Sequence, residues 1–319
     1  MKFNYPQICS KLLQDLPERQ RAVISRRFGL NLPVDKSQRE TLEFIGKDYG
    51  ITRERVRQIE RDGFSDLQPQ VQKYQKVFQY FNQYLKGAGG LKKEDLLLEE
   101  LGEKNQQNQI YFLLSFGSRC QRYGETGDFY PFWVLNQKSL ILARNLINSI
   151  YNKLEKAGKP LLLKDLNNCP LAFLEISKKI QKGPNGSFGL SHWPEINPRG
   201  IKDKAYLVFK EEKKPLHFAQ VASFIPASLP QTVHNELIKD NRFVLVGRGL
   251  YALAEWGYKQ GFVKDVISES LKEVGRPMAK EEIVDKVLKQ RLVKENTIIL
   301  NLSNKKYFSK DSKGFFTLA

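Results

Sequence analysis

Two stretches of this chain repeat each other closely enough to fix the architecture of its C-terminal half. Residues 232–254, TVHNELIKDNRFVLVGRGLYALA, align without a gap on residues 297–319, TIILNLSNKKYFSKDSKGFFTLA. Thr232/Thr297, Leu237/Leu302, Phe243/Phe308, Gly249/Gly314, Leu253/Leu318 and Ala254/Ala319 are identical, and Arg248/Lys313 keeps its positive charge. Upstream, Lys214-Pro215-Leu216 corresponds to Arg276-Pro277-Met278. A third copy ends at Gly186-Ser187-Phe188-Gly189-Leu190-Ser191-His192-Trp193, matching Gly249–Trp256, and opens at Lys159-Pro160-Leu161. A fainter fourth ends at Gly127-Asp128-Phe129 and opens at Gly89-Gly90-Leu91. A period of about 60 residues is one supersecondary unit repeated along the chain.

Each unit carries the same order of patterns. An amphipathic helix precedes the Pro or Gly break: Val263, Val266, Ile267, Leu271 and Val274 line one helical face. A second helix follows, as at 281–288, and then a third, as at 232–239. Phe243–Val246 and Leu250–Leu253, joined by Gly247-Arg248-Gly249, read as a short hairpin that closes the unit. Three helices and a terminal hairpin make a winged helix, with the basic turn as wing tip. The expected fold is mainly α: a helix-turn-helix domain at 1–68, then tandem winged-helix modules at 69–137, 138–197, 198–258 and 259–319. Residues 193–200, WPEINPRG, read as a linker between modules. Trp133, Trp193 and Trp256 close repeat units and are expected in cores.

The N-terminal segment 41–67, TLEFIGKDYGITRERVRQIERDGFSDL, follows a different grammar. Thr41, or Ser37 with Glu40 three residues on, can cap a first helix. Leu42, Ile45 and Tyr49 are its expected inner face. Gly50-Ile51 is a tight turn, with Gly supplying the positive φ, and Thr52 caps a second helix. Val56, Ile59, Gly63 and Leu67 form the inner face of that helix, leaving Arg53, Glu54, Arg57, Gln58 and Arg61 on the opposite side. Helix, short turn and helix with a polar outer face is the helix-turn-helix pattern. These side chains suit base reading, because Arg pairs with guanine, Gln with adenine, and Glu accepts from cytosine.

This stretch resembles region 4 of bacterial sigma factors, the part that reads the promoter −35 element. The resemblance is carried by Thr41-Leu42-Glu43, Ile45-Gly46 and Gly50 through Glu60, and upstream by Leu16 through Ile24 with Arg27-Phe28-Gly29-Leu30. It implies that Arg53, Glu54 and Gln58 contact bases. It also implies that Arg55 and Arg57 lie at phosphates or the neighbouring surface, and that the first half packs on the RNA polymerase flap; Thr52 and Arg61 complete the candidate DNA-binding set of this helix. Two departures stand out. Gly63-Phe64-Ser65-Asp66 is less helical and less basic than the family pattern. About 15 residues precede the match, leaving no room for the regions that clamp polymerase and melt the −10 element.

Units 198–258 and 259–319 resemble HARE-type helix-turn-helix domains, a group that includes the N-terminal domain of the RNA polymerase delta subunit. The residues that carry this are Lys214-Pro215-Leu216-His217-Phe218, Asn241-Arg242-Phe243-Val244 and Gly249 through Gly257. The acidic tail of the delta subunit is missing, so delta-like displacement of nucleic acid is not implied. Thr232, Asn235, Lys239, Arg242 and Arg248 in one module, and Asn301, Lys305, Lys306 and Lys313 in the other, are the candidate DNA-facing residues. Alternatively, the modules serve as protein-binding or spacing units.

The 319 residues carry a net charge of +17. Such a field attracts polyanions, of which nucleic acid is the commonest for a cytosolic protein. Residues 1–68 contribute only +3 of it, with 13 Lys+Arg against 10 Asp+Glu. Cys9, Cys120 and Cys169 are odd in number and scattered, which fits a reducing cytoplasm. Neither a signal-peptide core nor an apolar run of membrane-spanning length is present. P-loop and nucleophile-elbow motifs are absent, and His192, His217 and His234 lack zinc-ligand spacing. These patterns predict a cytoplasmic, non-enzymatic protein without cofactor or metal, whose partner is double-stranded promoter DNA. Two alternatives stay open: an accessory protein acting on the polymerase core, and the DNA-reading part of a restriction or repair system.

Overall fold

The computed structural model describes residues 3–30, 38–117 and 119–319. The proposed Ser37 cap lies outside these residues. The chain divides into two compact units, Met1–His192 and Trp193–Ala319, so the expected linker begins where the second unit does.

The first unit opens with α1 (Tyr5–Gln14), α2 (Glu18–Phe28), α3 (Leu42–Tyr49) and α4 (Arg53–Leu67). Thr41 Oγ1 accepts from Phe44 N and Thr52 Oγ1 from Arg55 N, each at 3.1 Å, so both expected threonines cap their helices. Gly50, at φ 63°, ends α3. Val23, Ile45, Val56 and Ile59 form the small core beneath the turn. Tyr49 departs from expectation: it is exposed, with the Arg26 guanidinium 5.2 Å from its ring centre. Gly46 sits where α3 meets the start of α4. A methyl group there would lie 2.8 Å from the Ile51 carbonyl oxygen, and backbone cannot yield cheaply. Gly46→Ala is therefore expected to lower stability by up to about 2 kcal/mol: overpacking costs about 1–3 and helix propensity returns about 1. A lower urea midpoint, followed by circular dichroism, checks this.

The Gly63–Asp66 segment is helical despite its composition. Tertiary packing overrides propensity there: the bare Cα of Gly63 admits Ile24, and Phe64 packs on Phe28, Phe112 and Phe116. This core does not stop at residue 68. Leu12, Leu16, Ile24, Phe28 and Leu67 share it with Phe78, Phe81, Leu97, Phe112, Phe116 and Trp133. The stretches 1–68 and 69–137 are therefore joined by one continuous core.

The winged-helix pattern recurs with a consistent topology. In 69–137 it is α5 (Gln75–Gly87), β1 (Leu91–Lys93), α6 (Glu94–Leu101), α7 (Gln107–Gly117), β2 (Gln121–Tyr123) and β3 (Phe132–Val134), with β3 central in the antiparallel order β1-β3-β2. The closing strand is thus Phe132–Val134, not the Gly127–Phe129 stretch that the repeat alignment selects. Phe129 instead bridges to Ser177 of the following module. That module has α8 (Gln137–Ala157), a 3-10 turn at Leu163–Asp165, a short α9 (Leu171–Glu175) and the hairpin β4 (Ile180–Lys182) and β5 (Phe188–Leu190). Its second helix is reduced to that turn.

The second unit contains α10 (Gly200–Glu212), β6 (Leu216–His217), α11 (Phe218–Phe224), α12 (Pro230–Lys239), β7 (Phe243–Gly247) and β8 (Leu250–Leu253). These are followed by α13 (Val263–Val274), α14 (Lys280–Gln290), α15 (Glu295–Leu302), β9 (Phe308–Lys310) and β10 (Phe316–Leu318). In all four modules the residue after the Pro or Gly break pairs with the last strand: Leu91 with Val134, Leu161 with Phe188, Leu216 with Tyr251, Met278 with Phe316. The sequence repeat marks this third strand or bridge, which closes the hairpin onto the helices. Trp133 is buried, while Trp193 and Trp256 are half-buried, Trp256 against the core around Phe209. Cys9 and Cys169 are buried and Cys120 half-buried; all three are free thiols. Among the described residues no helix is long and apolar enough to cross a membrane.

Candidate nucleic-acid interface

The outward face of α4 forms because its buried residues occupy one side. With Val56, Ile59, Gly63 and Leu67 turned inward, the helical period puts Glu54, Arg57, Gln58 and Arg61 opposite, flanked by Arg53 and Arg55. Arg57 holds Glu54 through two hydrogen bonds of 2.6 and 2.9 Å, and the pairing keeps the Glu54 carboxyl below its usual range. Arg55 Nη1 donates to Gln58 Oε1 at 3.0 Å, and Arg61 lies 3.8 Å from Asp62. Arg53 is exposed at the first turn, beside the backbone N–H groups of a Thr-capped N-terminus. Arg55 also borders a depression of about 500 Å³ with Gly46, Lys47, Gly50, Ile51 and Thr52. Glu60 faces inward from this surface toward Arg27 at 3.9 Å, and burial pushes its carboxyl up.

The structure thus brings Thr52, Arg53, Glu54, Arg55, Arg57, Gln58 and Arg61 onto one helix end, several of them engaged in pairs that a base edge or phosphate can exchange for. Surface pairs of this kind are worth only about 0–1 kcal/mol, so such an exchange costs little.

The candidates in the second unit are more mixed. Thr232 and Asn235 are exposed on α12, with Gln231 Nε2 3.4 Å from Asn235 Oδ1, and Lys239 lies 4.0 Å from Glu236. Arg248 is exposed at the wing tip, where Gly249 takes φ 69°. Arg242 is engaged within its own module. Its guanidinium bonds Asp240 (2.6 Å) and Asp203 (2.8 Å) and packs 5.0 Å from the Tyr206 ring centre. The pairing holds Asp240 below the ordinary carboxylate range. Arg242 therefore ties the base of the hairpin to α10. In the last module Asn301 Nδ2 is spent on the Thr297 carbonyl at 2.8 Å, while Lys305, Lys306 and Lys313 are exposed.

Two cations missed by sequence reasoning, Lys264 and Lys310, join these: Lys264 Nζ lies 4.7 Å from the Tyr307 ring centre, where Lys306 Nζ lies at 5.8 Å, and Lys310 Nζ lies 5.6 Å from that of Phe316. The Lys and aromatic residues clustered over 305–310, KKYFSK, signal Lys310. Nothing local signals Lys264, which arrives from another helix. His217 and His234 are structural: His217 caps α11, and Phe218 packs between His217 and His234 at 4.4 and 4.5 Å. Among the described residues no group of three metal-ligating side chains converges.

Comparison with known proteins places the helix-turn-helix end. Residues 12–68 match the family Sigma-70, region 4. Over 56 residues the chain is 50% identical to the RNA polymerase sigma factor RpoD of Helicobacter pylori, covering 18% of this chain and 8% of that protein. Over 55 residues it is 47% identical to the sigma factor RpoS of Coxiella burnetii, covering 17% of this chain and 14% of that one. The stretch from the end of α1 through α4 is a sigma-70 region 4 domain. The chain spans only a small part of the length of the relatives it matches, and the likeness stays within this domain.

Proposed function

We propose that this chain is a cytoplasmic, non-catalytic regulator of transcription that reads a −35-like promoter element with α4. The observation that carries this is the exposed Arg53–Glu54–Arg57–Gln58 face on a Thr52-capped helix within a sigma-70 region 4 domain. In this reading the two C-terminal modules are HARE-type winged helices that add contacts to DNA or to the polymerase. Tethered weak contacts add through effective concentration.

The test is selection from a pool of random duplexes with the full chain. Wild type enriches one motif. Arg53→Ala and Gln58→Ala each relax it at a single base pair, costing about 1–3 kcal/mol in discrimination. Retention of duplexes without any enriched motif would remove the promoter-reading claim.

A second reading, an RNA polymerase accessory protein acting by protein contacts, is favoured by the third helices of the C-terminal modules. Leu229 (70% exposed), Ile238 and Leu300 (74% exposed) stand out there, and α15 carries no cation. Against flap docking through the first half of the match, Leu12, Leu16, Ile24 and Phe28 are already buried against Phe81, Phe112 and Phe116. Binding to core polymerase without promoter DNA would select this second reading.

A further inference from the structure

The third helix is the usual DNA-entering element of a winged helix, yet α15 is ill suited to it. It bears Glu295 at its start, Leu300 on its outer surface and no Lys or Arg. The last module's lysines lie elsewhere. Lys264 at the start of α13, Lys305 and Lys306 after α15, and Lys310 on β9 have no carboxylate at ion-pair distance among the described residues. In the preceding module Lys210, Lys214, Lys239 and Arg242 all pair with acids.

Three of these four lysines lie against aromatic rings. Lys264 and Lys306 flank Tyr307, with Lys264 Nζ 3.4 Å from its hydroxyl, and Lys310 lies over Phe316, its register partner on β10. Tyr307 and Phe316 are half-buried against the core of the module. Each lysine stem is thus held by packing while its ammonium stays outward.

We infer that this lysine–aromatic face, and not α15, is the nucleic-acid contact of the last module, and that it grips the sugar–phosphate backbone of duplex DNA without reading bases. Lys264 and Lys306 meet at Tyr307, with Lys305 next to Lys306 in sequence and Lys310 on the hairpin that follows; such ammonium groups match a polyanion in charge without the planar fork that reads a base. The inference rests on the reading that the chain binds DNA.

The test uses the full chain and one fixed duplex containing the selected motif, with affinity measured from 50 to 200 mM salt. Lys305→Ala/Lys306→Ala/Lys310→Ala is expected to flatten the slope of log affinity against log salt by about 2.7, or 0.9 per lost phosphate contact. Over that fourfold range wild type then loses about 40-fold more affinity than the variant. The motif chosen from random duplexes stays the same. A charge-matched control on α14, Lys280→Ala/Lys286→Ala/Lys289→Ala, keeps close to the wild-type slope. An unchanged slope in the first variant, or equal flattening in both, overturns the inference while motif reading by α4 stands. Wild type failing to bind any duplex at 50 mM salt overturns both.

Discussion

Trp133→Ala lowers the stability of the Met1–His192 unit by about 3–5 kcal/mol, the range for truncating a fully buried aromatic. Trp133 is 1% exposed on the central strand β3, paired with Lys92 on one side and Arg122 on the other. Its ring meets Tyr111 edge-on at 5.8 Å, and its Nε1 donates to Glu94 Oε2 at 3.0 Å. Glu94 also accepts from Arg122 Nε (2.5 Å) and Nη2 (2.9 Å). The truncation therefore opens a cavity and removes a partner from a largely buried carboxylate. Trp133→Phe separates the two effects, because it retains most of the volume and loses the hydrogen bond, for about 1–2 kcal/mol.

The consequence reaches the reading helix, because Trp133 belongs to the core that also buries Ile24 and Leu67. Denaturant unfolding measures the loss, and duplex selection by Trp133→Ala should weaken although no DNA-facing side chain has changed. A loss below about 1 kcal/mol would mean that the core does not couple the two stretches.

Arg291→Ala is expected to cost about 3 kcal/mol or more in the second unit, from charge-assisted hydrogen bonds worth about 1.5–3 kcal/mol each. Arg291 is 2% exposed and, among the described residues, has no carboxylate at ion-pair distance; burial drives its pKa down. Its guanidinium donates instead to the carbonyls of Gln290 (2.7 Å), Lys259 (2.7 Å) and Gly261 (2.9 Å). Beside it, Gln290 bonds Gly257 O and Lys259 N, and Leu292 N donates to Val246 O at 2.6 Å.

The segment between the last two modules is thus stitched to both, and these two modules form a fixed pair instead of beads on a flexible string. Hydrogen exchange is the measurement: wild type protects the amides of 257–262, and Arg291→Ala releases them while α12 stays protected. Arg291→Met tests the opposite possibility, that replacing a buried charge with an apolar chain is neutral. A Met variant as stable as wild type, with protection kept, would leave packing alone as the tie.

The helix-turn-helix was legible because its information is local. Thr41, Gly50 and Thr52 each act within three or four residues, and the 3.6 period sorts α4 into an inner and an outer face. The winged helices were legible because the repeat aligned equivalent positions, down to the Leu or Met after each break that pairs with the last strand. Where local information was thin, the sequence misled. The faint copy put its closing strand at Gly127–Phe129, because glycine–aromatic spacing recurs in a loop as easily as in a hairpin. Arg242 pairs with Asp240 two residues away, but its second partner, Asp203, is 39 residues away and was not legible in the sequence.

By itself, then, the sequence determined the mainly helical fold, the capped helix α4 with its polar outer face and the excess of positive charge. Only the tertiary structure decided where that charge acts. Ion pairing and cation–aromatic packing depend on side chains distant in the chain, so Arg242 became a brace and Lys264 joined Lys306 on Tyr307. The same holds for the helix through Gly63 and for the joined core across residue 68: each is stabilised by apolar surface that comes together only when α2, α4 and α7 pack.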